Sequence, residues 1–152
     1  MAYPSIYLSS TTEELCSRID QLNSTSKGLW GKMTVGQMLS HCAVPYEQIL
    51  GLNTQQPPLL MRIILNLFLK KSMVNEVPYK QNLPTAPSFI RTEQYDVTKE
   101  KDRLKEMIRS IQDMGAEKLA ATPSLSLGKL TATEWNNLLY KHIDHHLKQF
   151  GV

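Results

Sequence analysis

Three of the chain's four histidines, His142, His145 and His146, fall within five consecutive residues near the C-terminus. Thr131 and Glu134 read as a capping box, so the spacing predicts a helix from Thr131 to about Phe150, with Gly151 after it. On such a helix His142 and His146 lie one turn apart on one face. Trp135, Leu139, Ile143 and Phe150 form the apolar side, and both imidazoles fall on it. His145 falls at its edge and Asp144 on the side expected to face solvent. Burying two imidazoles costs free energy unless both find partners. Their i, i+4 spacing is that of two ligands to one transition metal. A third ligand from another helix would complete a facial site.

The remaining histidine, His41, lies about a hundred positions earlier. Thr34 and Gln37 form a second capping box, which predicts a helix from Val35 to about Leu50, stopped by Gly51. Val35, Met38, Cys42, Tyr46 and Ile49 make its inner face, with His41 on the shoulder. Pro45 has no N–H to offer the His41 carbonyl, so a kink is expected there. The kink either aims the imidazole or is an unrelated packing bend. Cys42 reads as a small buried residue, with a thiolate ligand as the alternative.

Helix signals dominate the rest. A first helix is expected from Thr11 to about Asn23, and a charged one from Thr98 to Met114, ended by Gly115. Between them, Leu59 to about Lys71 is apolar except for one narrow stripe of Arg62, Asn66 and Lys70. A helix there is expected to be buried on most sides, partly by a second subunit, or else by the irregular 73–97 segment. The expectation is an all-α bundle of four main helices plus the N-terminal one, a single domain over 1–152. At 41% hydrophobic residues, a chain this long buries a real core.

Net charge is +3 and no basic run exceeds two residues, which argues against nucleic-acid binding. The apolar run is shorter than the roughly 20 residues that span a bilayer, which argues against a membrane. Cys16 and Cys42 make no disulfide framework, and no signal peptide is visible, so a cytoplasmic location is expected.

Trp30-Gly31-Lys32-Met33-Thr34-Val35-Gly36-Gln37-Met38-Leu39-Ser40-His41-Cys42, followed by His142-Ile143-Asp144-His145-His146-Leu147-Lys148-Gln149-Phe150-Gly151, resembles the DinB/YfiT-like superfamily. The nearer resemblance, with Asn82-Leu83-Pro84-Thr85, is to that superfamily's small branch of unknown function. The resemblance implies an up-down-down-up four-helix bundle, a divalent metal (zinc or nickel) and a homodimer. It implies His41, His142 and His146 as the ligands, with His145 matching an extra histidine that is not a regular ligand. Characterised relatives include transferases and isomerases that use low-molecular-weight thiols.

The expected function is a divalent-metal-dependent enzyme acting on a small molecule, as a hydrolase or a low-molecular-weight-thiol-dependent transferase. The alternative is a non-catalytic helical protein with a vestigial or structural metal site. Glu134 lies on the flank and is a poor general base. Gln48 and Gln149 are candidates to hold the ligands from behind. Tyr79 and Phe89 lie in the long loop expected to cover the pocket.

Overall fold

Four helices pack around one apolar core: α1 (Ser9–Asp20), α2 (Val35–Ile49), α5 (Val97–Ala121) and α6 (Ala132–Gln149). The structure, a computed structural model, describes residues 2–152. Leu15 and Ile19 of α1, Leu39 and Cys42 of α2, and Leu139, Ile143 and Leu147 of α6 are fully buried in that core. Leu104 and Ile111 of α5 complete it. The N-terminal helix is thus one of the four packed helices.

Both capping boxes form. Thr34 accepts from the Gln37 N–H while the Gln37 side chain accepts from the Thr34 N–H, and Thr131 and Glu134 pair in the same way. These two devices fix where α2 and α6 begin, and therefore the height of their histidines. α2 runs on through Pro45 to Ile49.

Three boundaries differ from expectation. α1 starts at Ser9, because the Leu8 carbonyl accepts from both Thr11 and Thr12 and places those threonines inside the first turn. It also stops at Asp20, short of Asn23. Gly115, with φ 77°, breaks α5 as a glycine at a helix end does. The chain then resumes the helix to Ala121, because Leu119 on that last piece is fully buried.

The apolar segment departs most. It forms α3 (Leu59–Ile64), a π turn (Leu65–Leu69) and α4 (Lys70–Val74). None of its residues is buried. Its polar stripe is its attachment: Asn66 donates to the Ser126 carbonyl at 3.1 Å and Lys70 to the Lys129 carbonyl at 2.9 Å. Carbonyls of the 124–129 connection need donors, and an aliphatic stripe has none to give. The apolar residues are left outside, with Leu59 70%, Leu67 71% and Phe68 75% exposed. The 73–97 segment does not cover them. The segment docks on the core at two places, through Leu65 in the π turn and through Met73 and Val74 at its end.

Asp144, expected in solvent, is buried. It accepts from Arg18 of α1 at 3.0 Å and from Lys148 at 2.7 Å. No described helix is long and apolar enough to cross a membrane. Both cysteines are free and buried.

Candidate metal centre

α2 and α6 bring His41, His142 and His146 to one point, with one ring nitrogen from each lying within 4.8 Å of the others. The His41 and His142 Nε2 atoms are 2.8 Å apart. His41 and His146 are buried, and His142 is partly open.

The far nitrogens decide which way the lone pairs point. The Phe89 carbonyl lies 3.0 Å from His41 Nδ1 and can only accept, so that nitrogen carries the proton and Nε2 presents its lone pair inward. Gln149 works the same way on His146, one link further out. Its Nε2 donates to the Trp30 carbonyl at 2.8 Å, which fixes the amide's orientation. Its Oε1 therefore accepts from His146 Nδ1 at 2.8 Å, leaving His146 Nε2 as the free acceptor. Two lone pairs would repel at 2.8 Å, so with no metal bound His142 Nε2–H donates to His41 Nε2.

Burial lowers the pKa of all three imidazoles. His146 falls to about 3, through burial and then the neighbouring His41. His142 is held well below the usual histidine value by burial, then by His41 and His146. His41 is lowered by burial, partly offset by the Phe89 carbonyl. All three are neutral near pH 7, the form that ligates metals. The donor set therefore fits a borderline divalent ion.

Other candidates stand apart. The His145 ring packs against Trp30 and Tyr79, both at 5.8 Å between centroids, and is not in the triad. Cys42 is fully buried, its thiol is 3.7 Å from Met38 Sδ, and burial pushes its pKa up. Glu134 is engaged in its cap. Gln48 donates to the Gln55 carbonyl, so the expectation that it supports His41 gives way to the Phe89 carbonyl. A main-chain carbonyl leaves no mark in a sequence, and only the aromatic at position 89 hinted at that loop.

Two further residues were not legible from periodicity. Gly31 has φ 77°, and a Cβ there would lie 2.5 Å from Gln149 Nε2, so a bare backbone is what lets Gln149 reach Trp30. Gly31→Ala is therefore expected to loosen His146 and weaken metal binding by about 10- to 100-fold, the usual cost of losing a ligand's supporting partner. Competition with a chromophoric chelator measures this, and unchanged affinity would rule out the Gln149 link.

Lys141, beside His142, is 1% exposed. It donates to the carbonyls of Ser72 and Asn75 at 2.8 Å, to Asn75 Oδ1 at 3.0 Å and to the Val77 carbonyl at 3.1 Å. Its ammonium lies 4.7 Å from the centre of the Tyr79 ring. Burial draws its pKa down to about 8.

A cleft of about 1160 Å³ opens on the triad, bounded by α3, the π turn and the 77–89 loop. Phe89 packs edge-on to His41 at 5.8 Å and lines the cleft.

No curated protein and no solved structure matches the chain. A family model does, over residues 8–151, a span that holds both capping boxes, the triad and Gln149. The chain belongs to the family described as "Protein of unknown function (DUF1569)".

Proposed function

We propose that the chain is a divalent-metal-dependent enzyme of the DinB-like kind, a hydrolase or a low-molecular-weight-thiol-dependent transferase, with His41, His142 and His146 as ligands. The observation that carries this reading is the convergence of three imidazoles on a cleft, two of them with their tautomers fixed from behind. His41, His142 and His146 would hold a divalent ion such as zinc or nickel, which would supply Lewis acidity toward a water or a thiolate. The protein's own part is to hold the imidazoles still and to shield that corner with Phe89 and Trp30.

A structural or vestigial site is the second reading. A structural zinc normally closes with four protein ligands. Here Cys42 is turned into the core and His145 is held between two aromatic rings, so three ligands facing a cleft favour catalysis. The free, buried cysteines support a reducing, cytoplasmic setting.

Purified protein, chelated and reloaded, should take up one zinc or nickel per chain. Cobalt substitution should give the intense visible bands of a low-coordinate site rather than the weak bands of an octahedral one. Absence of stoichiometric uptake would end the metalloenzyme reading. A thiol-transfer and ester-hydrolysis screen of the loaded protein then chooses between the two chemistries.

The uncovered face of α3 and the π turn supports a homodimer. Light scattering at micromolar concentration should give twice the chain mass, and a monomer mass refutes it.

A further inference from the structure

The cleft's walls and its charges are segregated. Met61, Ile64, Leu65 and Leu69 line it from α3 and the π turn, Leu138 lines it from α6 one turn before His142, and both of the chain's tryptophans, Trp30 and Trp135, line it as well. Among the described residues no carboxylate and no arginine lines it, and its formal charges are Lys32 and Lys80. Both lysines are exposed residues of the lining. Lys32 is two residues from Trp30 and Lys80 adjoins Tyr79, and both rings pack on His145. Arg62 and Lys70, on the same segment as the apolar wall, are turned away from the cleft and bonded elsewhere.

A site so divided suits a ligand divided in the same way. A small hydrophilic thiol alone would leave the aliphatic wall wet, so a thiol-dependent transferase would need a second, apolar substrate there, and a dication would meet lysines. The cleft's volume, about 1160 Å³, is at or above the roughly 300–1,000 Å³ of ordinary small-ligand sites, which leaves room for an extended apolar body. The π turn sits in that wall, with Leu65 and Leu69 facing the cleft. Such turns recur at functional sites. Met33, Met61 and Met73 also line it, and methionine adapts to variable apolar shapes.

We propose that the cleft binds a fatty-carboxylate-type amphiphile, its apolar body along α3 and the π turn and its anionic head at the histidine corner beside Lys32 and Lys80. The head's contact with a metal rests on the function proposed above. The seating of the apolar body does not.

The test titrates metal-stripped and zinc-loaded protein with hexanoate, octanoate, decanoate and dodecanoate below their micellar concentrations. Emission of Trp30 and Trp135 is the readout. Kd should fall by about fourfold per added methylene in both forms, the increment of burying one CH₂, and zinc should tighten every member. Met61→Asp and Ile64→Asp place a carboxylate in the wall at positions already 39% exposed, and each should weaken decanoate by about tenfold or more. Leu67→Asp puts the same charge on the same segment outside the cleft and should leave Kd unchanged. Circular dichroism of each variant checks that it folds.

Affinity independent of chain length overturns the proposal. So does equal weakening by Leu67→Asp, which would assign the apolar surface to a second copy of the chain. A chain-length slope with no effect of bound zinc overturns the placement of the head. A slope with no zinc uptake at all supports the cleft assignment and defeats only the metal reading.

Discussion

Alanine at His41, His142 or His146 should leave the protein without stoichiometric metal after dialysis, while His145→Ala should retain one ion per chain. The three triad positions are not redundant, because their nitrogens lie within 4.8 Å of one another and, among the described residues, no thiolate or carboxylate joins the group. A site reduced to two imidazoles keeps no facial geometry, so each loss should exceed the roughly 10- to 100-fold cost of removing a supporting partner. His145 is one residue from a ligand, but its ring is packed against Trp30 and Tyr79. Elemental analysis of the four variants decides the matter. Equal depletion in His145→Ala would mean that the ligand set is wrong.

The second large effect belongs to Lys141. Lys141→Ala should destabilise the protein by about 3 kcal/mol or more, because it strips a buried donor from four acceptor oxygens. For a chain of this size that corresponds to roughly 10 °C in Tm. Lys141→Met keeps most of the apolar stem and none of the protons, so it separates packing from hydrogen bonding. If methionine restored the melting temperature, the donors would be unimportant. Hydrogen exchange should show the loss concentrated at residues 72–77, the stretch the ammonium gathers.

Much of the centre was legible because it is local. Capping boxes are read over four residues, and an i, i+4 histidine pair on an apolar face is read over two turns. His41 follows from its own helix and from a resemblance. What could not be read is what depends on partners far along the chain. Asp144 and Lys141 lie on faces that a helical wheel makes polar, yet Arg18 and the carbonyls of 72–77 bury both. The attachment of the 59–74 segment is hidden for the same reason. Its narrow polar stripe looks like a solvent edge until the carbonyls of Ser126 and Lys129 are known to face it. Gly115 marks a helix end in the sequence, but nothing local says that Leu119 will draw the chain into helix again.

His41 is backed by the carbonyl of Phe89, in the short 3-10 turn Pro87–Phe89, and His146 by Gln149, itself held by the Trp30 carbonyl outside any helix. Ligand orientation and loop order are therefore two sides of one equilibrium. By reciprocity, whatever free energy these segments lend to ion binding, a bound ion returns to them. If the centre takes an ion as proposed, hydrogen exchange and proteolysis at the entrance to the cleft should be slower in the loaded protein than in the stripped one.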